Sequence, residues 1–386
     1  MVTNLPAEAK AKWIKVMEAK TPEEKIRALE DFLSSVPKHK GTEKLRLWAT
    51  RRLAELRDEI EERRKKKTGR GAVFFVEKEG DVQVVVLGPP NTGKSMLVNK
   101  LTGARTVIAD YPFSTTQPVP GMLKYEDIYI QLIDTPPLSR GSGLINKIIG
   151  LARNADGLLI VLDATRDIIA DFEELRGLLE DSGVVLSKPL GRVVIEAYRS
   201  GRQGIRFTLM GKLLNATLDD VRRLLEEYRI HNAHVKIYGE VTLDDVEQAL
   251  FENTTYKPSV VFVNKVDLVS GVDEVVKVLG EKSGLPVIAG SAFTGLGLNK
   301  VGEALFTQLE LIRVYTKSPN TDPSSKPLVL RKGATIRDVA ESIHRDFVKN
   351  FVYAKVWGKS VHYPGERVGL EHVVEDGDIV EIHIRG

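Results

Sequence analysis

Apolar positions follow different periods in different regions of the chain, and each change of period marks a part of the molecule. Up to about residue 68 the spacing is helical: Leu45, Leu47, Leu53, Leu56 and Ile60 form an incomplete stripe among many charges, and the basic run RRKKK follows at 63–67. The stripe predicts a helical N-terminal arm over 1–70 that packs on another part of the molecule. Gly69, Arg70 and Gly71 break it. From Asp81 short, continuously apolar runs take over: VQVVVLG, then IYIQLID ending at Asp134, then LLIVLD ending at Asp163, with the same texture resuming at 260–265 and 285–292. Such runs, separated by helical stretches, predict an α/β fold whose mostly parallel sheet is covered on both faces.

Residues 183–254 have a different texture. A Gly-rich basic stretch, GRVVIEAYRSGRQGIRFTLMGK, precedes an amphipathic helix from Thr217 to about Tyr228, where Thr217 can cap and Asp219 and Asp220 suit the first turn. The segment reads as an insertion that splits the α/β domain into 80–182 and 255–316. After Tyr315 the stretch KSPNTDPSSKP is a linker by composition. A short β/α unit over 326–386 follows, with strands around 328–330, 353–356 and 379–384, a helix after Thr335, and a turn at Asp376, Gly377 and Asp378. Thr335 and Asp338 are spaced as a helix cap, so this unit reads as a binding module without a catalytic group.

Composition narrows the class. A length of 386 residues suggests two to three domains, and 42% hydrophobic with 28% charged residues is ordinary for a globular protein. No apolar run approaches the roughly 20 residues that span a bilayer, which argues against a membrane partner. The N-terminus lacks the apolar core of a secretory signal and the chain has no cysteine, so the expected location is cytoplasmic, without disulfides or thiolate chemistry. A net charge of +3 does not by itself argue for nucleic acid. Locally, Lys188, Arg192, Arg199, Arg202, Arg206 and Lys212 face only Glu196, a one-sided segment able to meet a phosphate backbone. His231 and His234 lack partners with metal-ligand spacing, so no structural metal is expected.

The chemistry lies at the ends of the apolar runs. GPPNTGKS at 88–95 matches G-x-x-x-x-G-K-[ST] and directly follows the strand VQVVVL. In this pattern glycine permits close approach, successive backbone N–H groups surround phosphates, Lys94 reaches the outer phosphates, and the Ser95 hydroxyl is a magnesium ligand. The candidate set is Gly88, Asn91, Thr92, Gly93, Lys94, Ser95 and Met96. It specifies a nucleoside triphosphate without naming the base. Asn264-Lys265-Val266-Asp267, closing the run VVFV, supplies the base: the Asp267 carboxylate can accept from guanine N1–H and the 2-amino group, a donor pair adenine lacks. The Lys265 stem can cover the ring, and Ser291-Ala292 offers a backbone N–H to the guanine oxygen. Asp134 is placed to hold magnesium through water, and Thr115 in YPFSTTQ is the candidate threonine closing over the metal, with Ser114 and Thr116 as substitutes. Lys94, Thr115 and Asn91 form the candidate catalytic set.

The motifs resemble a known family. ADYPFSTTQPVPG at 109–121, the Asn91-containing phosphate loop, NKVD and GSAFTG are similar to the Obg class of GTPases, and specifically to its DRG branch, the developmentally regulated GTP-binding proteins. KGTEKLRLWATRRLAELRDEI resembles that branch's N-terminal helical segment, EEYRIHNAHVKI and LDDVEQALFENTTYKPSVVFVNKVD resemble its insertion and return to the core, and the chain from 326 resembles a TGS domain. The resemblance implies a P-loop G domain, a ribosomal-protein-like α/β insertion, a ubiquitin-like β-grasp at the C-terminus, and association with GTP or GDP, with ribosomes or RNA rather than DNA, and with an accessory protein. It also places Asn91 where potassium-dependent relatives carry an asparagine that helps bind a monovalent cation beside the phosphates.

One position departs from the pattern. The D-x-x-G of the γ-phosphate sensor reads Asp134-Thr135-Pro136-Pro137, so a glycine N–H that should bond the γ-phosphate is replaced by a residue with no N–H. Leu138 follows where Ras-type enzymes carry a water-orienting glutamine. Two expectations follow: a slow magnesium-dependent GTPase, potassium-stimulated and ribosome-associated, or a non-hydrolysing guanine-nucleotide-dependent RNA-binding module with an impaired sensor.

Overall fold

The computed structural model describes residues 5–19, 21–38, 42–68, 74, 76–103, 117–139, 143–188, 191–197, 204–251 and 255–385. They form two compact units. One gathers the described residues of 76–137, 155–171 and 258–386; the other gathers those of 1–75, 138–154 and 172–257.

The first unit is built on a six-stranded sheet ordered Val287–Ala289, Ser259–Asn264, Gly157–Asp163, Val82–Leu87, Ile128–Asp134, Val119–Tyr125. All neighbouring pairs are parallel except the last, a hairpin. The strands Val82–Leu87, Gly157–Asp163 and Ser259–Asn264 are buried at every position, which is why they read as unbroken apolar runs. The Asp134 strand lies on one side of Val82–Leu87 and the Asp163 strand on the other, so connections leave in opposite directions and a crevice opens at the strands' carboxyl ends. The phosphate loop, the 134–137 segment, the NKVD tetrapeptide and Ser291-Ala292 each lie at one of those ends. The helix Lys94–Thr102 starts at Gly93 and stops at Gly103, both left-handed. Its Leu97 and Val98 join Leu132, Val161 and Phe262 in one core.

The strand Leu311–Thr316 follows the helix Asn299–Gln308 but pairs into a second, five-stranded sheet ordered Leu328–Arg331, Leu311–Thr316, Asp378–Ile384, Phe351–Trp357, Glu366–Val368. The helix Ile336–Ile343 covers one face, packing Ile336 and Val339 on Val314, Val356 and Val380. The backbone N–H of Thr335 donates to Asp338 Oδ2 at 2.7 Å, closing the expected cap. This is the β-grasp arrangement of one helix on a mixed sheet.

In the second unit the arm helices Ala7–Glu18, Pro22–Ser35 and Glu43–Thr68 share a core with the 183–254 segment. Trp13, Phe32, Leu53 and Leu56 from the arm cluster with Val221, Leu225, Tyr228 and Val235. Thus the arm's apolar stripe is covered by the insertion, whose sheet runs Gly191–Ala197, Ala233–Thr242, Ile205–Leu214. The insertion helix spans Leu218–Glu227 with a reciprocal Thr217–Asp220 capping box.

Candidate nucleotide site

The phosphate loop is shaped by close packing below and by positive φ angles within. A Cβ on Gly88 would sit 2.3 Å from the Val161 carbonyl oxygen, so only glycine lets the chain turn out of its strand here. Asn91 (φ 64°) and Gly93 (φ 85°) are both left-handed, a region where glycine and asparagine are the favoured residues. The preference of asparagine for that region accounts for its presence without a bound ion.

Lys94 and Ser95 open the helix at the mouth of the crevice. The Lys94 ammonium donates to the carbonyls of Gly88 (3.1 Å) and Pro89 (2.8 Å), so the backbone supports it before any phosphate arrives. Burial pushes its pKa down to about 8, with the Asp134 carboxylate pulling the other way. Ser95 Oγ donates to Asp134 Oδ2 at 2.6 Å, bringing a hydroxyl and a carboxylate to one point. That all-oxygen pair suits a hard divalent cation. Among the described residues no group of three or more histidine or acidic side chains gathers as a metal site.

The 264–267 tetrapeptide is joined to the phosphate loop by hydrogen bonds. Buried Asn264 donates from Nδ2 to the Thr92 carbonyl (2.8 Å) and accepts at Oδ1 from the Ala292 N–H (2.8 Å). Ala292 N–H, expected to face the base, is therefore engaged with Asn264. Lys265, at φ 64°, donates to the Asn91 carbonyl (2.7 Å) and to Asp163 Oδ2 (2.5 Å), so its stem is held above the loop. Asp267 stands exposed in the short turn Val266–Leu268, and Ser291 is buried, its Oγ accepting from the Thr294 N–H at 3.1 Å.

Asp163 is a site residue that the motifs missed. Burial opposes its charge, but hydrogen bonds from Lys265 and from the Thr165 N–H and hydroxyl hold its carboxyl below the usual range. The available signal was an apolar strand ending in a carboxylate, as the Asp134 strand does. Thr115, Ser114 and Thr116 lie outside the described residues. In the sensor segment Thr135 Oγ1 donates to the Val86 carbonyl at 2.7 Å, and Pro136 and Pro137 are buried.

A glycine-turned phosphate loop, a hydroxyl–carboxylate pair and a base motif locked to that loop together define a P-loop G domain. The comparisons agree: a family model described as a 50S ribosome-binding GTPase matches residues 83–193, one for the C-terminal region of that domain matches 202–311, and a TGS domain matches 312–384. An uncharacterised GTP-binding protein of Methanocaldococcus jannaschii is 37% identical over 372 residues, covering 94% of this chain and 93% of its own. Developmentally-regulated GTP-binding protein 2 of Homo sapiens is 31% identical over 364 residues (93% and 98%), and developmentally-regulated G-protein 3 of Arabidopsis thaliana is 33% identical over 367 (93% and 98%). The chain belongs to the DRG family of GTP-binding proteins. No helix among the described residues is long and apolar enough to cross a membrane.

Proposed function

We propose that this chain is a slow, magnesium-dependent and potassium-stimulated GTPase that acts on ribosomes, binding the ribosome or RNA, in the cytoplasm together with an accessory protein. The observation that carries the enzymatic part is the convergence of Lys94, Ser95 and Asp134 beside a guanine motif that is hydrogen-bonded to the phosphate loop. Ser95 and Asp134 would hold the magnesium ion, and Thr115, outside the described residues, is the candidate further ligand. A magnesium ion held there would supply charge neutralisation to the bound triphosphate. Lys94 orients the outer phosphates, Asn264 and Asp267 read guanine, and Ser291 with Ala292 shapes the base pocket. A monovalent ion beside Asn91 adds positive charge where charge develops in hydrolysis, a role otherwise filled by an arginine.

The RNA part is supported by the insertion sheet. Val193, Phe207, Val235 and Ile237 pack into the core, so Arg192, Arg206 and Lys236 occupy register positions on the opposite face, and Lys212 is exposed further along. The matching family model is itself described as ribosome-binding. Arg199 and Arg202 lie outside the described residues.

Pro137 favours a second reading, a guanine-nucleotide-dependent binding module that does not hydrolyse. Phosphate release at saturating GTP, measured in potassium, in sodium and for Lys94→Ala, separates the two. The GTPase reading expects release above the Lys94→Ala level and faster in potassium; release equal to that level establishes the binding module.

A further inference from the structure

The C-terminal sheet carries planar and cationic side chains on the face away from its helix. In Phe351–Trp357, Ala354 and Val356 are buried in the core, so Tyr353, Lys355 and Trp357 occupy the other face. In Asp378–Ile384, Val380 and Ile382 pack inward and Glu381 and His383 alternate with them. Tyr353 and His383 are register partners, and their rings stack with centroids 4.3 Å apart and planes 19° apart. From the edge strand Glu366–Val368, the Arg367 guanidinium lies 4.5 Å from the Tyr353 ring centre. The result is a column, His383 to Tyr353 to Arg367, running across neighbouring strands and ending at an exposed arginine. No carboxylate among the described residues pairs with Arg367.

Beside the column, Lys317 lies 4.4 Å from the Trp357 ring centre. Lys317 and Lys355 are both within 4 Å of Glu381, at 3.5 and 3.7 Å, and that carboxylate is only 4% exposed. The face therefore presents Lys317, Lys355 and Arg367 against one shielded acid. Cations alone would suit any polyanion. An exposed guanidinium that already lies over an aromatic ring suits a planar partner that continues the stack. Unpaired nucleobases provide such planes next to phosphates, whereas paired bases in a duplex have theirs covered.

We propose that this face binds an unpaired stretch of RNA, one base stacking on Arg367 at the end of the column and neighbouring phosphates meeting Lys317 and Lys355. It rests on the RNA reading above and gives that reading a second, separately testable surface. The test uses the full chain and a ten-nucleotide unpaired oligoribonucleotide carrying 2-aminopurine, whose fluorescence is quenched by stacking. The wild type is expected to bind and quench it. Arg367→Lys, which keeps the charge but loses the plane, is expected to abolish the quench and weaken binding about tenfold, with an unchanged melting temperature. Arg367 is exposed on an edge strand, so the exchange leaves the core intact. A hairpin stem of equal length is expected to bind wild type and Arg367→Lys alike. If Arg367→Lys binds and quenches as the wild type does, the platform is overturned; loss of binding with Arg206→Ala and Lys212→Ala would then leave the RNA reading standing on the insertion alone. If oligoglutamate displaces the RNA equally from wild type and Arg367→Lys, the face is an acidic-protein site and the platform again falls. Failure of the wild type to bind either RNA at low salt removes both readings.

Discussion

At the scale of single residues, recognition rests on side chains that hold other side chains. Lys265 is fixed between the Asn91 carbonyl and Asp163, and Asp163 is fixed by Thr165. Removing Asp163 frees the lysine whose stem is to cover the base. Asp163→Ala is therefore expected to weaken GTP and GDP equally, by about tenfold or ~1.4 kcal/mol, while Asp163→Asn, which keeps an acceptor, restores most of the loss. Competition titration with labelled nucleotide checks this; a loss confined to GTP would place the defect at the γ-phosphate instead. Lys94 gives a pH dependence. Its pKa is pushed down to about 8, and phosphates favour the charged form, so nucleotide binding raises it again. Affinity is then expected to fall as pH rises above about 8, with proton uptake on binding seen as buffer-dependent heat in isothermal titration. Lys94→Met removes the uptake. Lys94, Ser95 and Asp134 were legible in the sequence because each stands in a local pattern set by phosphate chemistry. Asp163 was not, since its partner lies 102 residues away and its own neighbours carry no motif.

At the scale of elements, the turns that join strand to helix decide whether the site exists. Gly93 is at φ 85°, and a Cβ there would also meet Asn264 Nδ2 at 2.4 Å. Gly93→Ala thus strains the loop and displaces the side chain that ties base motif to phosphate loop. An affinity loss of about 100-fold for both nucleotides is expected, since backbone strain and the lost Asn264 bond together amount to ~3 kcal/mol. Equilibrium dialysis reads it directly. Pro137 acts on the neighbouring segment. Pro137→Gly restores a backbone N–H toward the γ-phosphate, so phosphate release is expected to rise by up to about 100-fold while GDP affinity stays constant. An unchanged rate would mean that this position does not limit hydrolysis. The apolar strands were legible because burial on both faces leaves no polar position to confuse the pattern, and the Thr217 helix because its cap is local. The arm's stripe was legible while its partner was not. Which surface covers Trp13 and Leu56 depends on contacts with Tyr228 and Val235, far along the chain.

At the scale of the whole molecule, the nucleotide sheet and the C-terminal sheet are joined within one unit by the strand Leu311–Thr316. The sequence reading ends the nucleotide domain at 316, yet this strand pairs with Leu328–Arg331 and Asp378–Ile384, because non-local pairing overrides nearness in the chain. Its Arg313 reaches both sides. The guanidinium donates to Asp376 through Nε (3.0 Å) and Nη2 (2.8 Å) and to Glu126 in the turn after Val119–Tyr125, while Tyr315 donates to Asp127 in the same turn. That turn belongs to the hairpin whose second strand ends at Asp134, so a link exists from the carboxylate beside Ser95 to the C-terminal sheet. Arg313→Ala is expected to lower stability by about 1 kcal/mol, because it removes a part-buried guanidinium from Asp376 while the Arg313 backbone N–H still serves Asp376 at 2.7 Å. Hydrogen exchange should then quicken in Leu311–Thr316 and at 125–128 but not in Val82–Leu87. Acid provides the control. The Arg313 guanidinium holds the Asp376 carboxyl below its ordinary range, so this contribution is fully present above that range and is lost as pH falls through the lowered value. The stability gap between wild type and Arg313→Ala must therefore narrow in acid; a gap independent of pH would show that Arg313 acts through packing on Phe306, 5.2 Å from its ring centre, rather than through charge.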